Sequence, residues 1–334
     1  MTPDSSGWVP PALIAEGRYL DVSLVMDGSG AAHVAAQGSS GIWYLTNAGG
    51  SWTRERLTTT APHEVHDSVA IDGSDGSLWV AYAQRRDDTA PNFSSAVAYV
   101  TNQSGAWSQP IDIPGSSELL ALAVTGGAIH LASNDQEAAD PEDLSDIFRP
   151  LYVTNGGGDW AAVPVAERGY NLALRLAPDG GVELIVESWQ PGSVDATVYL
   201  ATGAGGGFEL TPLIESLPRD TQVAGALDAA GVPHLFLGQG FPVTATYIRG
   251  LGDSQTEPES VPFMPDSIVF DSQGALHGVE GDRYLTNVGG SFAAQNLACG
   301  CEPNDAGIAV DAGSRPHVVV SSRDGIWYAV GPAQ

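Results

Sequence analysis

Lysine is missing altogether. The 13 basic residues of the 334-residue chain are all arginine, set against 40 acids, for a net charge of −27. A surface of that sign repels phosphate backbones and anionic headgroups, which excludes nucleic acid and anionic lipid as main partners. The acids read first as a solvated coat reflecting salt adaptation or coding bias, and second as a face for a cationic partner. Cysteine is nearly absent: Cys299 and Cys301 flank Gly300. Two cysteines are too few for a disulfide framework or a thiolate zinc site. They form either a strained, redox-labile bridge or two plain thiols. No run approaches the roughly 20 apolar residues of a membrane span, so insertion is not expected. Helix-period patterns are scarce, and no linker divides the chain. G-x-S-x-G elbows, phosphate loops and H-E-x-x-H helices are absent.

What is present is repetition. YLTNAGGSW begins at Tyr44 and returns, blurred, from Tyr99, Tyr152, Tyr199, Tyr247, Tyr284 and Tyr328, at spacings of 55, 53, 47, 48, 37 and 44 residues. Each copy is a β-favouring run, then Asn and glycines that tolerate positive φ, then an aromatic and a second extended run: a hairpin. Another hairpin precedes each tyrosine, as in SLVMDGSGAAHVAA. Four strands per unit of about 40–50 residues predict propeller blades, with strands a to d running outward from the axis. The last unit stops after strand c, and residues 7–16 read as its missing strand d. The expectation is all-β: one seven-bladed β-propeller over 1–334, with blades near 19–58, 64–113, 118–166, 169–215, 219–262, 263–298 and 302–334, closed by the N-terminal strand. A monomer is expected.

Thr46-Asn47-Ala48-Gly49-Gly50-Ser51-Trp52 resembles the Asp-box (BNR) repeat of sialidase-like bacterial propellers, with Asn in place of Asp. The likeness recurs at Asn102, Asn155 and Asn287 and fades at Gly203 and Gly250. In that family the box is a structural turn between strands c and d, facing away from the active site. It therefore implies the fold and no activity, and the sialidase arginine triad is not found. Similar propellers are exported, so an extracytoplasmic location is expected. The polar Met1–Ser6 stretch reads as a start residue on a linker from which a leader has been removed.

In a propeller the d-to-a and b-to-c connections share one face. Here the b-to-c connections are long in three neighbouring units, at 84–95, 133–150 and 187–196. Long loops on a rigid scaffold are where function concentrates. His33, His130, His234, His277 and His317 repeat at the start of strand b, which predicts a structural hydrogen bond tying blade to blade. His63 and His66 stand apart, in the lead-in to blade two on the loop-rich face. The acidic loop over 133–146 reads as solvated.

Three functional classes are open. In the first, the loop-rich face binds a carbohydrate or other small ligand through His63, Arg85, Arg149, Arg168 and Trp189, with Phe93, Phe148 and Phe241 also able to stack on sugar rings. In the second, a polysaccharide lyase or glycoside hydrolase uses the same face. His66 and Tyr170 then serve as base and acid, and Arg219 neutralises a substrate carboxylate. The third is a scaffold whose rim binds another protein. The strand-a starts line the pore, so Asp21, Asp67, Asp266 and Asp305 read as a water-filled polar channel or as oxygen ligands for calcium.

Overall fold

A computed structural model describes residues 7–59, 69–73, 76–85, 95–114, 118–136, 148–190, 192–203, 206–239, 244–250 and 252–333. Seven four-stranded antiparallel sheets stand in a ring, a seven-bladed β-propeller. Blade one is representative: strand a is Tyr19–Met26, b Ala32–Gly38, c Gly41–Thr46 and d Thr53–Arg56. Strand b is buried throughout, strands a and c are buried or half-buried, and strand d is exposed throughout. The N-terminal strand Val9–Glu16 completes blade seven by pairing with Gly325–Val330, with Ala12 opposite Tyr328 and Leu13 opposite Trp327. The closure expected for residues 7–16 is therefore present. No helix among the described residues is long and apolar enough to cross a membrane.

The chain forms two compact units, one of residues 1–84, 98–111 and 265–334, the other of 85–97 and 112–264. In the first, Leu24, Val34, Leu45, Val319 and Ile326 share one buried cluster between blades seven and one. In the second, Leu184, Val186, Ala132 and Tyr152 pack blade four on blade three, and Ile185, Val198, Leu213 and Leu235 pack it on blade five. Successive residues of one strand thus face opposite neighbours, as the pleat requires.

The repeated histidines act within a blade, which corrects the expected tie between blades. In blade one, His33 Nδ1 lies 2.6 Å from Tyr44 Oη and Nε2 lies 3.2 Å from Asp27 Oδ2. The same Asp–His–Tyr chain recurs as Asp228–His234–Tyr247 and Asp311–His317–Tyr328. An ionised carboxylate only accepts, so Nε2–H donates to aspartate and the tyrosine hydroxyl donates to Nδ1. The second oxygen of Asp27 caps its own turn, accepting from the Ser29 and Ala31 amides. Burial works to raise the Asp27 pKa, but these bonds with those of Ser29 Oγ and His33 outweigh it and hold the carboxyl far below the usual range. The histidine sits at the start of strand b and the tyrosine in strand c, so the short reach is to the same sheet. Blade three has Gly126-Gly127 in place of the aspartate turn, and its buried His130 Nε2 has no partner among the described residues.

The aromatic after each box turn joins neighbouring blades instead. Trp52, Trp107, Phe208 and Trp8 each meet the strand-c tyrosine of the preceding blade edge-on: Tyr328, Tyr44, Tyr152 and Tyr284, with centroids 4.9–5.7 Å apart. The box asparagines Asn47, Asn102, Asn155 and Asn287 accept the backbone N–H that opens strand b, at 2.7–2.8 Å. In these four blades the turn thus ties strand c back to the start of strand b.

Candidate functional site at the upper end of blade four

Strand pairing runs further up the loop-rich face than the sequence suggested. Blade three pairs Asn134 with Pro150, Asp135 with Arg149 and Gln136 with Phe148. Blade four pairs Trp189 with Ala196, so Glu187 and Trp189 belong to strand b, Val182–Trp189, and not to a loop. The supposed ten-residue connection shrinks to a tight link between that strand and strand c, Asp195–Gly203. The remaining spans of the blade-two and blade-three connections, 86–94 and 137–147, lie outside the described residues. So do His63, His66, Asp67, Phe93 and Phe241. Arg85 ends strand b of blade two, and its side chain is not among those described.

Three of the expected residues come together. Tyr170 pairs directly with Glu187 across strands a and b. Its ring lies 5.3 Å from that of Trp189 and 5.0 Å from that of Phe148. The Arg219 guanidinium stands over the Trp189 indole, 4.5 Å from the centroid, a cation–π contact. Trp189 is only 6% exposed. It therefore packs beneath its own link, under Arg219 and beside Tyr170, and is not an open stacking platform. Arg149 is engaged in an ion pair with Asp135 at 2.8 Å. Arg168 lies half-buried just ahead of strand a.

Sequence reasoning missed Glu187. Burial pushes its carboxyl up to about 7, against the lowering influence of Arg219. Gly169 holds the strands close above it: at φ +142°, a Cβ there would stand 1.9 Å from the Glu187 carbonyl oxygen. The signal was the strand period. Glu187 and Trp189, two apart, share the face on which Ile185 packs toward blade five.

The upper end of the same strand borders a cleft of about 230 Å³, lined by Ser188 and Trp189 of strand b, Gln190 and Ser193 of the link, Asp195, Ala196, Thr197 and Tyr199 of strand c, and Ser216 of strand d. Strand d, Phe208–Pro218, is irregular where it meets strand c around Val198. Ser216 there adopts φ +55°, unusual for a residue with a side chain. Val194, at the link's tip, is 79% exposed and adds an apolar lip. The cleft thus offers hydroxyls, one amide and one carboxylate, and no cation.

Two of the acids expected at the pore hold backbone amides of a neighbouring blade. Asp21 is buried and its Oδ2 accepts the Val69 amide of blade two at 2.7 Å. Asp305 accepts the Val22 amide of blade one at 2.9 Å. Asp266 begins the lead-in to strand a of blade six, its amide donating to the Val279 carbonyl. Among the described residues no group of three His, Cys, Asp or Glu side chains could hold a metal ion.

No family model matches the chain, and no curated protein does. Solved structures share its fold. The α-L-arabinanase of Penicillium chrysogenum complexed with arabinobiose is 10% identical with a TM-score of 0.56, covering 98% of either chain. The polysaccharide lyase Uly1 is 9% identical at 0.59, covering 93% of this chain and 90% of that one. A Hadza microbial sialidase, Hz136, is 12% identical at 0.50, covering 94% of this chain and 66% of that one. At such identities the likeness is one of fold alone, that of a β-propeller.

Proposed function

We propose that this protein binds a neutral carbohydrate at the upper end of blade four. The observation that carries the reading is the cleft beside Ser188, Ser193, Thr197, Tyr199 and Ser216: a small concavity walled by hydroxyls, with Gln190 and Asp195 to fix orientation. Such a lining suits a polyhydroxylated ring, whose own hydroxyls both donate and accept. The net charge of −27 disfavours an anionic polymer. Propellers of the same fold that act on glycans support the sugar class. An extracytoplasmic location fits this reading.

A second reading, an enzyme acting on the same class of ligand, is favoured by Glu187. A carboxyl held protonated near pH 7 is the state a general acid needs. Tyr170 and Arg219 stand beside it. In that reading His66, at the lead-in to blade two, is the expected base, and calcium at Asp21, Asp67, Asp266 and Asp305 is the expected cation.

A glycan array run beside a polysaccharide degradation screen, each with calcium and with chelator, tests both. Retention of neutral glycans without degradation supports binding. New reducing ends that disappear with Glu187→Gln support the enzyme. Retention of acidic glycans alone contradicts the charge argument, and neither retention nor degradation rejects the proposal.

A further inference from the structure

The connection from strand d of blade six, Ala293–Asn296, to strand a of blade seven, Pro303–Val310, carries both cysteines of the chain. They are bridged, which resolves the alternatives left open by the sequence. We propose that the Cys299–Cys301 bridge is a thiol–disulfide exchange site, opened by a low-molecular-weight thiol that attacks Cys301.

Three observations converge. First, the bridge closes a loop across a single residue. A short loop constrains the unfolded chain least, so the bond gains little from loop closure. Second, the backbone on this stretch is left-handed at Ala298, φ +53°, and at Gly300, φ +67°. Ala298, immediately before the ring, carries a Cβ and holds that conformation at a cost. Disulfides that are strained or accessible are the more readily reduced ones. Third, the two sulfurs are not equivalent. Cys299 is buried at 7% exposure, whereas Cys301 is partly exposed. The Cys301 amide donates to Cys299 Sγ at 3.2 Å, a donor already aimed at the sulfur that must leave. Access to Cys301 and the amide aimed at Cys299 together make Cys299 the leaving sulfur, with the Asp282 carboxylate 4.0 Å from it as the opposing influence.

The step balances. A thiolate attacks Cys301 Sγ, the S–S bond breaks, and a mixed disulfide forms on Cys301. Cys299 leaves as a thiolate and takes a proton from water. A second thiolate then attacks the mixed disulfide and releases Cys301. The thiol is oxidised to its own disulfide, and the protein gains two electrons as a dithiol. Leu297 and Cys301 pack with Trp8 and Tyr284, beside the strand that closes the ring, so opening loosens that seam.

The test equilibrates the native full-length protein in glutathione buffers of graded ratio. Acid quenching and a mass-shifting maleimide then count free thiols. The expected result is two thiols per chain in millimolar reduced glutathione without denaturant, reclosing on oxidised glutathione. A bridge that opens only in denaturant overturns the proposal. The order of attack is read by peptide mapping of the acid-quenched mixed disulfide in the wild-type protein. Glutathione is expected on Cys301, and an adduct on Cys299 overturns the assignment of Cys301 as the attacked sulfur.

Discussion

Replacing Glu187 by glutamine removes a titration that the fold pushes in an unusual direction. Burial puts the folded pKa at about 7, above the ordinary 4.5. The folded chain therefore holds the proton where the unfolded chain has lost it. The associated stability is fully present below about 4.5 and is lost as pH rises through about 7. Between pH 5 and pH 8 the loss integrates to about 2.5 kcal/mol. With unfolding entropy of about 2.1 cal/mol/K per residue, a chain of this length has roughly 0.7 kcal/mol/K, so the loss is about 3–4 °C in Tm. Other groups titrate in the same range with the opposite sign. Burial drives His234 down to about 4, so its stability falls as pH drops from about 6.5. Subtraction cancels these. Calorimetric melts of wild type and Glu187→Gln at pH 5, 6, 7 and 8 should give near-equal Tm values at pH 5. The variant should be more stable by about 3–4 °C at pH 8. A difference that does not change with pH refutes the raised carboxyl and, with it, the general-acid reading.

Tyr284→Phe removes the hydroxyl that His277 uses at 2.6 Å, leaving a fully buried ring nitrogen unpaired. It should cost about 1–3 kcal/mol in a denaturant melt without altering glycan retention. Asn287→Ala strips the Leu276 amide of its acceptor and should cost about 1 kcal/mol by the same assay. Gly169→Ala places a Cβ into the Glu187 carbonyl and should lose about 3 kcal/mol or more, with ligand retention lost alongside stability.

The fold was legible because its signal is repeated. Any one copy of Tyr–x–Thr–Asn–x–Gly–Gly–x–Trp is a modest hairpin cue, but seven blurred copies define a ring, and the strand left over at residues 7–16 could only belong to the blade lacking one. The site was legible in part. Tyr170, Trp189 and Arg219 were picked for their chemistry, and they do meet. Their roles shifted because periodicity does not say where a strand ends: Glu-Ser-Trp-Gln-Pro-Gly looks like loop, yet pairing continues through Trp189. That extension buries the indole under Arg219 and makes a buried acid of Glu187. Position along a repeat carried a second meaning. Asp21 and Asp305 recur at equivalent places, and each accepts an amide from the next blade. The histidines repeat for a different reason, to hold a turn to its own sheet. Ser216 had no signal at all, since its left-handed backbone follows from the irregular pairing of strand d.

Titration calorimetry with the neutral oligosaccharide best retained on the array is the most direct measurement. Wild type is compared with a Ser188→Ala/Thr197→Val double variant, which changes two hydroxyls of the cleft wall. A loss of about tenfold or more in affinity, with Tm held within about 1 °C, is the result expected from losing two ligand hydrogen bonds. Unchanged affinity in a folded double variant would contradict recognition at blade four.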